Sequence, residues 1–280
     1  MRQSLLWTTA LLGFGFLSAC GGNDAQVQEA LDDVNVIDES NLNDLMLTVG
    51  DPEEGVAYFA GASAQNPDRI DLKRGLAKSL VRAGKTTEAV SVWRQVLASP
   101  EGTNADRVAL ADALIRNSDW TAAAAELNQI PPTFETFERY RLEAMVADSN
   151  KDWAKSDSFY EVAIGLTTRP AGVLNNWGFS KLTRGDAKGA EKLFIEALTY
   201  DGSMFTAKNN LVLARATQGK YELPVVDMTQ TERAELLYTM ALAAIKKGDT
   251  STGKRLLREA IDTHPQFFEA ASRSLAALEG

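Results

Sequence analysis

The 280-residue chain contains one cysteine and one histidine. A single thiol closes no internal disulfide, whatever the compartment. The lone imidazole, His264, stands in Asp262-Thr263-His264-Pro265, where turn-forming residues dictate the sequence and a structural role is expected. No HExxH, CxxC, GxSxG or phosphate-loop glycine pattern is present. Carboxylates are plentiful but scattered on what read as solvated helix faces, so no enzyme, metal, cofactor or small-molecule substrate is expected. Positive charge is also in short supply: 29 Lys and Arg against 38 Asp and Glu give a formal net charge of -9. That balance argues against nucleic acid as a partner, because neutralising phosphates needs a basic face. It also removes electrostatic attraction to an anionic lipid surface. Finally, the longest apolar run near the N-terminus, residues 5–17, falls short of the roughly 20 residues that span a bilayer.

What that run does suit is the core of an export signal, following the short positive leader Met1-Arg2-Gln3. It ends in Leu17-Ser18-Ala19-Cys20-Gly21, which resembles the lipobox of bacterial lipoproteins. The resemblance implies a signal peptide over 1–19, diacylglycerol transfer to Cys20, cleavage before it, and acylation of the new N-terminus; the alternative is an ordinary cleaved signal with a chance cysteine. Two or more acyl chains, each contributing about 0.8 kcal/mol per buried CH₂, anchor a protein stably. Gly21 and Gly22 follow, with no aspartate directly after the cysteine. Under the sorting rule of enteric lipoproteins, this implies the periplasmic face of the outer membrane. Residues 20–35, rich in Gly, Asn, Gln and Asp, read as the lipidated cysteine and a flexible tether.

The rest, 36–280, is self-similar. Asn176-Trp177-Gly178-Phe179, Gly185-Asp186, Ala190, Phe194 and Ala197 resemble the tetratricopeptide pattern: a small residue in helix A, glycine at the turn, then small, aromatic and small residues along helix B. The family period is 34 residues, and the same template fits units starting near 36, 70, 104, 137, 171 and 205. Each unit reads as two short amphipathic helices that cannot bury their apolar stripes alone. Small residues Ala77, Ala111, Ala144 and Gly178 let the helices approach, and Phe59, Trp93, Tyr160 and Phe194 fill the space between them. Trp93, Trp120, Trp153 and Trp177 are all expected in the core. Gly50, Gly84, Gly185, Gly219 and Gly248 are expected at the turns. The fold class is therefore all-α: a right-handed superhelical solenoid of helical hairpins whose concave face is lined mainly by A helices.

Two places depart from the pattern. Pro224, in Glu222-Leu223-Pro224-Val225-Val226-Asp227-Met228, falls inside the helix B of the 205 unit. An interior proline costs about 3 kcal/mol, so most of that helix is expected to be missing. The segment is then either a bridge across a degenerate repeat or a specialised contact strand or hinge. Thr229-x-x-Glu232 reads as the capping box of the next helix. Past Pro265, residues Phe267, Phe268, Ala271, Leu275 and Leu278 suit a C-terminal capping helix with one apolar face.

The register also marks the groove. Residues Asp71, Arg74, Lys78 and Arg82 form a basic stripe at helical spacing, and Asp112, Arg116, Arg141, Met145 and Asp148 are mixed. Farther on come Asn175, Phe179 and Leu182, then Asn209, Leu213 and Ala216. The pairs Asn175-Asn176 and Asn209-Asn210 recur one period apart, and an amide offers both donor and acceptor to a peptide backbone. Candidate protein-binding residues are thus Arg74, Lys78, Arg82, Asn175, Asn176, Phe179, Asn209, Asn210 and Leu213; the basic stripe and one asparagine of each pair read equally as solvated positions.

A lipobox followed by such repeats resembles the TadD family of tight-adherence (Flp) pilus lipoproteins. The matching stretch is 205–278, with Asn209-Asn210-Leu211, Gln218-Gly219, Met228-Thr229-Gln230-Thr231-Glu232-Arg233-Ala234, Gly248-Asp249, Leu256-Leu257 and His264-Pro265. The resemblance implies an assembly factor that escorts or stabilises secretin subunits. Type IV pilus pilotins, and NlpI-like adaptors that recruit periplasmic proteases or peptidoglycan hydrolases, share the same plan.

Overall fold

The computed structural model describes residues 42–279; the expected signal peptide, Cys20 and the tether lie outside the described residues. Among those residues the regular structure is helical, with no strand. A short α1 (42–48) leads into α2 (Pro52–Gln65), and three hairpins follow: α3 (Ile70–Arg82) with α4 (Thr86–Ala98), α5 (Asn104–Arg116) with α6 (Trp120–Leu127), and α7 (Phe137–Ser149) with α8 (Trp153–Gly165). A fourth joins α9 (Ala171–Thr183) to α10 (Ala187–Tyr200). Then α11 (Phe205–Thr217) stands without a partner of its own, before α12 (Gln230–Lys246), α13 (Thr250–Thr263) and the terminal α14 (Glu269–Glu279). None of these helices is long and apolar enough to cross a membrane.

The chain makes each hairpin with a repeated local device. After every A helix one residue adopts a left-handed backbone: Gly84 (φ 73°), Ser118 (62°), Lys151 (60°), Gly185 (90°), Gly219 (80°) and Gly248 (87°). The next N–H then reaches back to a carbonyl five residues earlier, as Asp119 does to Leu114 at 2.8 Å and Asp186 to Lys181 at 2.8 Å. Four B helices are capped by an aspartate at the following position. Asp119, Asp152, Asp186 and Asp249 accept from the backbone N–H of Ala122, Lys155, Gly189 and Thr252, each cap contributing about 1 kcal/mol. Gly50 differs from the expectation: its backbone is not left-handed, and its lack of a Cβ instead leaves room for Met46, whose Cα would lie 3.1 Å away.

Ser118 and Lys151 occupy a conformation that costs a side chain about 1–2 kcal/mol, partly offset in a glycine variant by the freer unfolded chain. Ser118→Gly and Lys151→Gly should therefore each raise stability by about 0.5–1 kcal/mol. The check is a higher urea midpoint at constant slope; an unchanged or lower midpoint contradicts it.

The apolar residues form four cores in series, and successive cores share an A helix. Leu142 and Val146 of α7 belong to the core built on α3–α6, while Ala144 packs with Tyr160, Ala163 and Val173. Val173 of α9 faces that second core and its neighbour Leu174 faces the third, with Phe194 and Leu211. Leu211 and Val212 of α11 split likewise between the third core and the last. Hairpins joined this way contact only their neighbours, which is the physical definition of a solenoid.

Pro224 ends the regularity, as expected. Residues 218–229 contain no helix, and the segment fills the vacated space with side chains instead. Tyr221, Leu223 and Met228 pack on the core under α12 and α13, Val226 on the core under α10 and α11, and Pro224 itself is buried. Glu191 of α10 fastens the start of the segment through Gln218 and Lys220, both at 2.8 Å. The Thr229–Glu232 capping box is present and opens α12. In the terminal helix region Phe268, Leu275 and Leu278 pack inward, but Phe267 is 78% exposed, because it precedes α14 and lies off its apolar face.

Candidate protein-binding groove

The A helices α5, α7, α9 and α11 adjoin in sequence, so residues at equivalent positions share one face. The expected basic stripe lies at its first end, and two of its three cations are engaged in holding units together. Arg74 forms a two-point pair with Asp106 (2.8 Å at both nitrogens) and donates to the Glu101 carbonyl at 2.8 Å. Arg82 donates to the carbonyls of Met46 and Gly50, both at 2.8 Å. Burial raises the Asp106 carboxyl, but Arg74 and Thr103 outweigh it and hold the group below its ordinary range. Lys78 is exposed and, unlike the other two, makes neither an ion pair nor a side-chain hydrogen bond among the described residues. Each guanidinium reaches a partner one unit back or forward, a tie that spacing within one helix cannot reveal.

The amide end is different. Asn175, Asn176, Phe179 and Asn210 line a single cleft of about 480 Å³ with Met145, Asp148, Ser180, Thr183 and Thr206. Asn210 Nδ2 donates to Asn175 Oδ1 at 3.0 Å, and both residues are 9% exposed. This clasp orients the floor: Asn175 Nδ2 and Asn210 Oδ1 are left as one donor and one acceptor. Asn176 donates weakly to Met145 Sδ at 3.6 Å, while Phe179 is 51% exposed. Asn209 and Leu213 fall outside the cleft; Asn209 Oδ1 accepts from Thr239 of α12 at 2.7 Å, and Leu213 is half-buried.

One end of the cleft was not expected. Trp120 and Trp153, placed in the core by their repeat positions, line its wall instead, and Trp120 is 36% exposed. Both are the first residue of their B helix, about two turns before the position that Trp93 holds in α4, where the ring is 2% exposed. Behind them Asp148 accepts from Ser156 Oγ, from Ser180 Oγ at 2.7 Å and from Tyr160 Oη at 3.0 Å. Burial, with the Asp148 charge beside it, pushes the Tyr160 phenol far above its ordinary range, so it stays a proton donor to that carboxylate.

These features define a class: an α-solenoid whose repeats present a grooved face, a protein-interaction scaffold. The repeats are tetratricopeptide repeats, and tetratricopeptide-repeat family models match residues 74–134 and 235–266. Solved structures share the fold at low identity. A chain of the APC/C hetero-tetramer Cut9–Hcn1 aligns with TM-score 0.60 and 14% identity over 84% of this chain; the chain spans about half, 47%, of that one. A tetratricopeptide-repeat protein from Parabacteroides merdae aligns at 0.57 and 11% identity over 86% of this chain and 97% of its own. PilW, described as a widely conserved type IV pilus biogenesis factor, aligns at 0.55 and 15% identity over 74% of this chain and 98% of its own. No curated protein matches significantly in sequence.

Proposed function

We propose that this chain is an outer-membrane lipoprotein, anchored through acylated Cys20 on the periplasmic face. Its solenoid holds a segment of a protein partner and so assists assembly of a tight-adherence (Flp) pilus secretion apparatus, in the manner of a secretin pilotin. The observation that carries the binding is the cleft over α7, α9 and α11, where clasped asparagines leave one donor and one acceptor beside the exposed Phe179. A peptide backbone offers the complementary pair, and a grooved pocket largely formed in advance loses little entropy on filling. The anchor rests on Leu17-Ser18-Ala19-Cys20. The choice of a pilus system rests on the TadD-like stretch 205–278, and a pilus biogenesis factor of the same fold, PilW, agrees with it.

Cys20→Ser should move the protein from the membrane to the soluble fraction; unaltered fractionation would remove the anchor. Affinity isolation from crosslinked membranes should recover a secretin subunit. Recovery of a periplasmic protease or peptidoglycan hydrolase without secretin would replace the pilus reading with that of an adaptor.

A further inference from the structure

The cleft has a charge bias that its amides do not account for. Its thirteen lining residues include one carboxylate, Asp148, and neither lysine nor arginine. Elsewhere on this face buried and half-buried carboxylates are neutralised within the chain: Asp106 by Arg74, Asp112 by Arg116 and Arg141, Glu232 by Lys208. Asp148 instead receives three hydroxyl groups, and no cation among the described residues lies within ion-pair distance of it. Hydroxyl groups carry no charge to set against that of the carboxylate, so the wall of the cleft keeps a negative site without a counter-charge.

The aromatic rings add to this. Arg184 lies over the Trp153 ring at 5.5 Å from its centre, while no cation among the described residues lies over Trp120 or Phe179. Both rings are exposed at the cleft, and an aromatic face attracts a positive charge through its quadrupole.

We propose that the cleft accepts a basic side chain, arginine or lysine, from an extended segment of the protein partner. The charge sits among the rings of Trp120 and Phe179 and faces Asp148, while Asn175, Asn176 and Asn210 meet the adjoining backbone. The aliphatic stem of such a side chain suits the apolar part of the wall, Met145 included. This rests on the groove reading above and narrows it from any peptide to one with a basic anchor.

The test is selection of a degenerate twelve-residue peptide library on the full-length protein in detergent. Arginine and lysine should be enriched about tenfold at one position among retained peptides. Thr183→Lys, an exposed change that sets a cation at the cleft rim, should erase that enrichment. Enrichment of acidic or neutral residues, or basic enrichment that persists in Thr183→Lys, overturns the basic anchor and leaves the groove standing. If no peptide is retained, or if Trp120→Ala with Phe179→Ala retains the same set, the groove itself is overturned.

Discussion

Phe194→Ala should lower the stability of the solenoid by about 3–5 kcal/mol, the range for deleting a large buried aromatic side chain. Phe194 is fully buried in α10, and its ring lies so close to α9 that a Cβ on Gly178 would stand 2.6 Å from its Cε1. The ring therefore fills the notch that glycine opens, and α9 cannot collapse far enough to close the void left by alanine. The damage should also be local at first. Because neighbouring cores share α9 and α11, limited proteolysis should cut first between residues 171 and 217, with the flanking hairpins following. A loss below about 1 kcal/mol in urea denaturation, outside the range for buried aromatics, would contradict this packing, as would first cleavage in α3–α6.

Glu232→Ala should have a comparable effect from electrostatics. Lys208 of α11 is 3% exposed and donates to both Glu232 oxygens, at 3.1 and 3.3 Å. The same carboxylate accepts from the Thr229 N–H at 2.8 Å and opens α12. Alanine removes a cap and leaves a buried ammonium unpaired, at a cost of about 3–5 kcal/mol. Lys208→Met is the control: it removes the buried charge, Glu232 at 22% exposure keeps water contact, and the expected loss is under about 1.5 kcal/mol. Equal losses in the two variants would show that the pair matters only as packing. The pair also sets a pH dependence. The Thr229 N–H, opposed by partial burial and helped by Lys208, holds the Glu232 carboxyl below its ordinary range. A carboxyl depressed on folding stabilises above its unfolded value, about 4.3, and that contribution is lost as the pH falls through the folded value. The wild-type urea midpoint should therefore fall more steeply below about pH 4.3 than that of Glu232→Ala.

This pair sits where the repeat is broken, and much of the break was legible in the sequence. Pro224 removes a backbone donor and forbids the helix interior, so its position alone reports the missing B helix. The hairpin boundaries at Gly84, Gly185, Gly219 and Gly248 were equally readable, because each has glycine at the left-handed position with small or aromatic side chains at fixed spacing. The turn at Ser118 and Lys151 was hidden because neither is glycine, although the Asp119 and Asp152 caps beside them mark the same place. Side-chain direction was the harder matter. Periodicity put Arg74 and Arg82 on the groove face, but their reach carries the guanidinium groups to Asp106 and to the α1–α2 turn. It put Asn175 and Asn209 on that face, whereas Asn210, the other member of the pair, is the one that meets Asn175 across two units. Trp120 and Trp153 read as core because the repeat template sets them at packing positions; their place at the first turn of a helix leaves the ring beyond the packed interface.

Site-specific photocrosslinking in intact cells tests the binding face most directly. A benzophenone side chain at Phe179, in the cleft, should give a discrete protein adduct. The same group at Ile195, 49% exposed on α10 away from the cleft, should give none. An adduct at Ile195 and none at Phe179 would mean that the partner docks on the B-helix face and that the groove is not where it is held.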